Sequence, residues 1–371
     1  MLQSLFSAWP ALSRRLPALS LGRFPTPVER LTALEGRLGL SDLYIKRDDL
    51  SSPTYGGNKV RTLEVLFGQA LALNAREIVA TGALGSNHAV ATALHAPGVG
   101  LSAAAILFPQ PPSRAALENL QVTLGHANRV QVLPHWSFLP FAIWRAQRRG
   151  RVVMAPGGAT PAGALGYVAA ALELAEQVQR GELGAPTRIY VGVGSCCTTA
   201  GLLVGFAHAA RLGIGFRTPP CLVAVRVTPW PVTSQLRILR LAARTADLLA
   251  ALAENPSLRL STDTLWSGLR LDGDQLGPGY GQPSVSGGAA RRLFSQLGLV
   301  PLDTTYSSKS AAGFLHAAGQ HAGPSLFWST KSSAVLPALD LDALERAPAA
   351  VQRWMQRAEQ EGAMTEPVSA A

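Results

Sequence analysis

The chain has 371 residues, of which 47% are hydrophobic and 15% charged, a composition typical of a folded protein rather than a disordered one. The formal net charge is +10, but the basic residues are scattered and form no long basic arm, so we expect no nucleic-acid partner. The three cysteines lack the spacing of a disulfide scaffold or metal site, which favours a cytoplasmic protein without a metal, and no apolar run is long enough to span a membrane.

Short apolar runs alternate with longer helical patterns along most of the chain, which predicts an α/β protein with parallel sheets covered by helices. Four prolines among the first 28 residues favour an irregular N-terminal arm. The tail after Leu344 is predicted to form one exposed helix that frays near Pro367. The predicted strands are 43–46, 77–81, 103–108, 130–133, 152–155, 188–193, 222–227 and 325–328, and the predicted helices are 59–74, 87–96, 114–124, 163–180, 201–212, 234–255, 287–297 and 310–318.

The run from Tyr55 to Lys59, Tyr-Gly-Gly-Asn-Lys, follows the first predicted strand and an acidic turn. Its two glycines allow the backbone to approach a bulky ligand closely. A lysine at the start of a helix can reach into a cleft, where desolvation lowers its pKa and allows it to form a Schiff base with a carbonyl compound. Taken alone, a lysine in such a run is more commonly a solvated surface residue.

A second motif, Gly-Ala-Leu-Gly-Ser-Asn-His, occupies residues 82–88 after the strand predicted at 77–81. The N–H groups of the helix start and the Ser86 hydroxyl would accommodate a carboxylate ligand. Serine and asparagine are also favoured helix caps, and local sequence alone favours a cap over a ligand site. The two explanations are compatible, because an anion can share a capped helix terminus.

A third motif, at residues 192–201, follows the predicted strand 188–193 and opens a helix. Its backbone N–H groups and the hydroxyls of Ser195, Thr198 and Thr199 would hold a phosphate dianion. A dinucleotide site is disfavoured, because a cysteine stands where the third glycine is needed and no acid follows at the distance that would hold a ribose. A monophosphate site is therefore preferred, with a plain glycine-containing βα turn as the alternative.

A Schiff-base lysine, a phosphate site and a carboxylate-binding helix start together fit one cofactor, pyridoxal 5′-phosphate acting on an amino acid. The chain resembles the aminocyclopropane-carboxylate deaminase / D-cysteine desulfhydrase family within the fold-type-II (tryptophan-synthase-β-like) pyridoxal phosphate enzymes. The resemblance spans roughly residues 21–335 and depends on the order and spacing of its motifs. They are FPTPVERL (24–31), YIKRDD (44–49), GGNKVR (56–61), SNH (86–88), PGGATPAGALGYVAAALEL (156–174), GS..T.AG (194–201), GYG (279–281) and TYSSKSAAG (305–313).

The resemblance implies a role for each matching position. Lys59 would hold the cofactor as a Schiff base and then move the substrate α-proton. Asn87 would hydrogen-bond the 3′-oxygen of the pyridine ring. Ser86 and His88 would lie at the substrate carboxylate, with Ser86 as a candidate nucleophile or proton donor.

Two tyrosines would flank the substrate, Tyr280 and Tyr306, and a depressed phenol pKa would make Tyr306 an acid or base. The remaining contacts implied by the resemblance are with the cofactor phosphate for Gly194, Ser195, Cys196, Cys197, Thr198 and Thr199, with the pyridine nitrogen for Thr330, and with the substrate for Asn87 and Gly158.

The resemblance further implies a two-lobed fold and a homodimeric, pyridoxal-phosphate-dependent lyase. The small lobe would comprise residues 61–174 and the large lobe 1–60 plus 175–371, with the tail after about 345 peripheral. The expected reaction is a D-cysteine desulfhydrase-like α,β-elimination from a small amino acid to a keto acid and ammonia. Ring opening of aminocyclopropane-carboxylate is the alternative; His88, and Ser307 where those deaminases typically have a glutamate, favour the desulfhydrase type.

Several positions depart from the family pattern. Cys196 and Cys197 replace two glycines, and a Cβ there would strain a positive-φ backbone or crowd the phosphate. Thr62 stands where a lysine often reaches toward the phosphate, and Lys331 stands where a glycine is usual, so Lys331 is expected to restore the lost charge. These changes leave open a member that binds the cofactor or an amino acid without turnover; a nucleotide-binding oxidoreductase is the remaining alternative.

Overall fold

The computed structural model describes residues 2–365, with side chains described through residue 360. Within this range, helices cover two β-sheets. The strands are β1 (Val28–Arg30), β2 (Leu43–Arg47), β3 (Glu77–Ala83), β4 (Ser102–Phe108), β5 (Arg129–Val132), β6 (Arg151–Val153), β7 (Arg188–Val193), β8 (Cys221–Arg226), β9 (Leu269–Asp272) and β10 (Ser325–Ser329). The α-helices are α1 (Gln3–Ala8), α2 (Thr32–Leu38), α3 (Asn58–Ala72), α4 (Asn87–His95), α5 (Arg114–His126), α6 (Leu139–Ala146), α7 (Pro161–Gln179), α8 (Cys197–Arg211), α9 (Gln235–Leu252), α10 (Thr262–Ser267), α11 (Val285–Gln296), α12 (Ser307–Ala317), α13 (Leu341–Glu345) and α14 (Ala349–Thr365).

The larger sheet has the strand order β1-β2-β10-β7-β8-β9, and the smaller one has the order β5-β4-β3-β6. All described pairings are parallel except β1 with β2. Every residue of β10 is buried, as expected for a central strand covered on both faces. Parallel strands bring their carboxyl ends to one edge of each sheet, which is where ligands bind in open α/β folds.

The predicted fold class is confirmed: the protein is α/β, with parallel sheets covered by helices. Each predicted strand and helix is present, with ends shifted by a few residues. The prediction omitted β1 and β9, which are short edge strands without a continuous apolar run. The proposed lobe boundaries at residues 61 and 174 stay a prediction. Among the described residues, no helix combines the length and apolar character that crossing a bilayer requires.

The predicted irregular N-terminal arm is wrong for its first part. Residues 3–14 form α1 and a 3₁₀ turn, and α1 packs against α7. Leu5 and Leu12 are fully buried, so apolar contacts organise this segment even though its prolines keep the helices short.

The predicted exposed C-terminal helix is also corrected. One face of α14 is buried in the same apolar cluster as residues of β3 and β4, through Val351, Trp354, Met355 and Ala358. The Trp354 indole donates a hydrogen bond to the Gln110 carbonyl (2.8 Å). The predicted fraying point at Pro367 lies outside the described residues.

A buried ionic cluster joins β2, α3 and α7. Arg61 of α3 donates hydrogen bonds to Asp48 (2.7 Å) and Glu173 (2.9 Å), and Lys46 of β2 also contacts Glu173 (2.6 Å). Burial alone would raise the pKa of Glu173, but Arg61 and Lys46 outweigh it and lower that pKa to about 2. We call Lys46, Asp48, Arg61 and Glu173 the ionic cluster; it fixes the first turn of α3 against the larger sheet.

Candidate active site

The first turn of α3 presents Lys59 at the carboxyl end of β10. Gly57 precedes this turn with a φ of 86°, a conformation that L side chains rarely adopt. A Cβ on Gly57 would also lie 2.5 Å from the Thr330 carbonyl oxygen, so only glycine fits. Asn58 donates its N–H to that same carbonyl (2.9 Å), which joins the end of β10 to the start of α3.

The Lys59 amine is buried without a carboxylate partner among the described side chains. Its Nζ donates one hydrogen bond, to the Gly157 carbonyl oxygen (3.1 Å). Burial lowers the pKa of Lys59, and the nearby Cys197 only partly opposes this shift. A Cβ on Gly157 would lie 2.5 Å from Ser195 Oγ and 3.5 Å from Lys59 Nζ. The amine and the 194–199 loop therefore meet at this glycine.

The loop at 194–199 forms the N-terminus of α8, a helix of 15 residues. Thr198 Oγ1 accepts a hydrogen bond from Asn58 (3.0 Å). Thr199 Oγ1 is buried and has no partner among the described residues. A helix N-terminus next to an unpaired buried hydroxyl suits a phosphate group, so this loop fits the phosphate of pyridoxal phosphate.

The two cysteines that replace glycines occupy different environments. Cys196 adopts a φ of 74°, the left-handed conformation for which a glycine is normally used. Cys197 is the first residue of α8, and its thiol donates to the Gly158 carbonyl (3.2 Å). Burial raises the pKa of Cys196 to about 11 and also raises that of Cys197. Both thiols therefore stay protonated at neutral pH and add no charge to the 194–199 loop.

Ser86 and Asn87 start α4 at the carboxyl end of β3. Ser86 Oγ accepts the Ala89 N–H (3.3 Å), so Ser86 is the helix cap that local sequence favoured. Asn87 Oδ1 accepts hydrogen bonds from Tyr55 (2.8 Å), Asn119 (2.9 Å) and Lys331 (3.0 Å). With Oδ1 saturated, the Asn87 Nδ2 group is the end of the amide left for a ligand.

His88 points into the interior beside Gly158: a Cβ on that glycine would lie 3.3 Å from His88 Cε1. Neither ring nitrogen of His88 has a partner among the described residues. Burial, assisted by the Lys59 charge, lowers the pKa of His88 to about 3. His88 is therefore neutral at physiological pH. The substrate-carboxylate roles of His88 and Gly158 stay predictions, and His88 could serve there only as a neutral donor.

Tyr280 and Tyr306 meet through their hydroxyls, which lie 2.8 Å apart, with their rings in edge-to-face contact. Burial raises the pKa of Tyr306 well above its usual value, and Tyr280 adds to the shift. The depressed pKa expected for Tyr306 is therefore wrong. A phenol that stays protonated can donate a proton but is a poor base at neutral pH.

Two residues that sequence reasoning missed hold these tyrosines. Asp303 accepts the N–H groups of Thr305 and Tyr306 (2.9 Å each) and so fixes the start of α12. Lys309 is fully buried and donates to the carbonyls of Leu276 and Gly279 (2.8 Å each), which anchors the loop that carries Tyr280. The 305–313 motif includes Lys309 but not Asp303, and the carbonyl partners of Lys309 lie about 30 residues earlier in the chain, so local sequence did not reveal either role.

Lys331 does not lie where the sequence suggested. Its Nζ donates to Tyr55 (2.9 Å), Asn87 (3.0 Å) and Asn119 (3.3 Å), and none of these residues belongs to the 194–199 loop. The expectation that Lys331 replaces a missing phosphate cation is therefore wrong. A cavity of about 10 Å³, room for about one water molecule, opens beside it. Its lining includes Asn87, Gln110, Asn119, Tyr280, Tyr306 and Lys331.

Known proteins that are similar to this chain include pyridoxal-phosphate dependent enzymes, the cofactor class that this geometry suits. The sequence pattern of the family described as "Pyridoxal-phosphate dependent enzyme" matches residues 19–326. D-cysteine desulfhydrase from Serratia proteamaculans is 34% identical over 87% of this chain and 96% of its own length. Nocardicin C-9′ epimerase from Nocardia uniformis subsp. tsuyamanensis is 32% identical over 86% of this chain and 93% of its own length. The solved structure of an ACC deaminase homologue superposes with a TM-score of 0.71 at 27% identity, covering 88% of this chain and 94% of its own.

Proposed function

Because this chain belongs to the pyridoxal-phosphate dependent enzyme family, we propose that it catalyses α,β-elimination from a small amino acid. The products are a keto acid, ammonia and the group released from Cβ, and a D-cysteine-like thiol amino acid is the proposed substrate. The enzyme is of fold type II and its cofactor is pyridoxal 5′-phosphate. When bound, that cofactor supplies an electron sink for the substrate α-carbon.

One observation carries the proposal: the Lys59 amine lies beside the Ser195 hydroxyl, with Gly157 between them. Burial lowers the pKa of this amine and no described carboxylate opposes the shift, which favours the neutral form that acts as a nucleophile and a base. Its position beside a helix start that suits an anion supports the proposal. The aldehyde and the phosphate belong to one cofactor, so a Schiff-base lysine and a phosphate site must lie close together.

The surrounding residues would bind the cofactor and the substrate and would transfer protons. The α8 N-terminus and Thr199 would hold the phosphate, and Asn87 Nδ2 would orient the ring through its 3′-oxygen. The start of α4 at Ser86 would receive the substrate carboxylate. Lys59 Nζ would take the proton from the α-carbon, and Tyr306, whose raised pKa keeps it protonated, would donate a proton to the leaving group.

Epimerisation at the α-carbon is a second candidate, supported by the similarity to nocardicin C-9′ epimerase over most of both chains. Removal of the α-proton by Lys59 is common to both reactions, which differ in whether the proton returns or the β-substituent leaves. Ring opening of the ACC deaminase type is supported by the structural similarity to the ACC deaminase homologue.

The attachment point can be tested without ambiguity, because the chain contains only four lysines: Lys46, Lys59, Lys309 and Lys331. The protein is saturated with pyridoxal phosphate, reduced with borohydride, digested and mapped by mass spectrometry. We expect the label on the peptide that contains Lys59 and its loss in Lys59→Ala. A label on another lysine, or none in the unsubstituted protein, would refute the proposed role of Lys59.

The reaction is tested separately with D- and L-cysteine and a panel of small amino acids in deuterated water. We expect keto acid and ammonia from a D-amino acid with a leaving group on Cβ. Deuterium at the α-carbon with inversion and no keto acid would favour epimerisation instead. Keto acid from aminocyclopropane-carboxylate alone would favour ring opening.

We further propose that the enzyme is a cytoplasmic homodimer, as its family resemblance suggests. The three cysteines are free thiols, which suits a reducing compartment. Light scattering should give twice the chain mass of 39.0 kDa; a monomeric mass would contradict the dimer, and fractionation of the source cells would test the compartment.

A further inference from the structure

We propose that Lys331 is a positioning residue for the cofactor: it clamps the Asn87 amide so that Nδ2 faces the ring 3′-oxygen, and it places a fixed positive charge behind that amide. This inference rests on the proposed function, because it assumes that pyridoxal phosphate binds at Lys59. Lys331 stands where the resembling family usually has a glycine, so this clamp distinguishes the chain from that pattern.

All three donors of the Lys331 ammonium are occupied by protein oxygens. They reach the Tyr55 hydroxyl, Asn87 Oδ1 and Asn119 Oδ1 at 2.9, 3.0 and 3.3 Å. The ammonium also lies 5.2 Å from the centroid of the Tyr55 ring. Since no donor is left, Lys331 cannot bind a substrate anion without breaking the clamp, and its role is to position its neighbours.

The contacts form a closed set around Asn87. Tyr55 and Asn119 each donate to Asn87 Oδ1, while Asn119 Nδ2 also reaches the Gly85 carbonyl (2.9 Å). Flipping the Asn87 amide would turn its NH₂ group toward three donors, one of them charged. Leaving such buried groups unpaired is costly, so the amide has one stable orientation.

The ammonium keeps its charge. Burial acts to lower the pKa of Lys331, but the nearby Tyr55 hydroxyl, Asp303 and Glu118 outweigh it, so the pKa is raised. The other titratable groups beside it are Tyr280 and Tyr306, which line the same cavity and whose raised pKa values keep them neutral. Lys331 is therefore a permanent cation at this side of the site.

The fixed charge of Lys331 and the oriented Asn87 amide both lower the pKa of the lysine–cofactor linkage. Protonation of the linkage nitrogen adds a positive charge, which Lys331 opposes. The amide donor stabilises a negative 3′-oxygen, which also favours loss of the proton held between that oxygen and the nitrogen. Removing Lys331 should therefore raise the pKa of the linkage, by about one unit.

The test is a spectrophotometric pH titration of the bound cofactor in the unsubstituted enzyme, Lys331→Met and Lys331→Arg. Methionine has a similar length without charge, and arginine retains the charge. We expect the titration midpoint of Lys331→Met to rise by about one unit and its cofactor affinity to fall about tenfold, as for a lost charge-assisted hydrogen bond. Lys331→Arg should stay closer to the unsubstituted enzyme in both measurements.

The matched control is Ser333→Ala, two residues away, whose hydroxyl contacts Asp49 (2.6 Å) outside the clamp; it should leave the midpoint unchanged. If Lys331→Met does not fold, Tyr55→Phe removes one donor from the same set and should raise the midpoint by a smaller amount. A midpoint unaffected by either substitution, or shifted equally by methionine and arginine, would overturn the inference. An unsubstituted protein that forms no adduct would refute the proposed function instead.

Discussion

Two groups of buried polar residues include a side chain from the first turn of α3. They differ in how many of their polar atoms have a hydrogen-bond or ion-pair partner. The ionic cluster around Arg61 sets two cations against two carboxylates. The Tyr167 hydroxyl and Thr26 complete its hydrogen bonds. Two residues earlier, Lys59 makes one hydrogen bond to a carbonyl. His88, which lies near Lys59, and Thr199 of α8 have no described partners for their buried polar atoms.

We therefore interpret the fully paired ionic cluster as structural and the group around Lys59 as the proposed reactive site. A buried charge cluster adds little net stability but penalises any arrangement that breaks it, so it orients α3. Unpaired buried groups cost free energy unless a ligand or water pairs them, so His88 and Thr199, at the starts of two helices that meet near Lys59, suit a ligand site. One helix turn thus holds both Arg61, which positions it, and Lys59, the amine that we propose to react.

The largest expected effect is on the ionic cluster. In Arg61→Met, Asp48 and Glu173 lose their main partner while they remain buried, and we expect the free energy of unfolding to fall by about 3–5 kcal/mol. Urea denaturation of the cofactor-free protein measures this change. The matched control is Arg114→Met, which breaks an exposed pair with Glu118 on α5 and should cost about 0.5 kcal/mol or less. Equal losses of unfolding free energy in the two variants would show that the buried ionic cluster is no more important for stability than an exposed ion pair.

A second test uses pH to probe the unpaired side of the comparison. His88 has a pKa of about 3 in the folded protein against 6.5 as a free side chain. Between these values the unfolded chain binds a proton that the folded protein does not, so stability rises with pH and is lost as pH falls below 6.5. We expect His88 to contribute about 1.4 kcal/mol per pH unit to the slope over this window.

His88→Gln should therefore flatten the pH dependence of unfolding between pH 6 and about 4 in the cofactor-free protein. Some slope will remain, because burial also lowers the pKa of His208, to about 4. His126→Gln, at the exposed end of α5, is the matched control for the histidine-to-glutamine change itself. If His88→Gln keeps the full slope, His88 is not a neutral buried group, and the contrast between it and the paired ionic cluster is lost.

The smallest expected effect compares the two adjacent cysteines of the 194–199 loop. Cys196→Gly relieves a left-handed backbone strain of about 1 kcal/mol, which roughly offsets the lost burial of the thiol. Cys197→Gly relieves no such strain in α8 and should cost about 1–2 kcal/mol. The measurement is urea denaturation of both variants. A larger loss for Cys196→Gly would show that its conformation is not strained and that the thiol is needed for packing.

Much of the candidate site could be predicted because it lies in short local motifs. Lys59 follows two glycines, and Ser86 starts a helix after a strand, so each position was evident from its neighbours in sequence. The structure brings Lys59 and the 194–199 loop together at Gly157, as the combined motifs required.

The errors arose where a property depends on partners distant in sequence. The pKa of Tyr306 is raised because Tyr280 and the surrounding protein bury it, which no local motif contains. Lys331 contacts residues more than 200 positions away, so its direction could not be read from the residues beside it. The burial of α14 was missed for the same reason.

The sequence by itself determined the alternation of strands and helices, the glycine-bordered lysine and the glycine-containing turn before α8, because these depend on backbone conformation and periodicity over a few residues. Only the tertiary structure decided which buried groups are paired and which are not. Charge state and hydrogen bonding depend on what surrounds a side chain. Asp48, just after β2, and Glu173 of α7 place carboxylates around Arg61, whereas Lys59 has only the Gly157 carbonyl as a described partner.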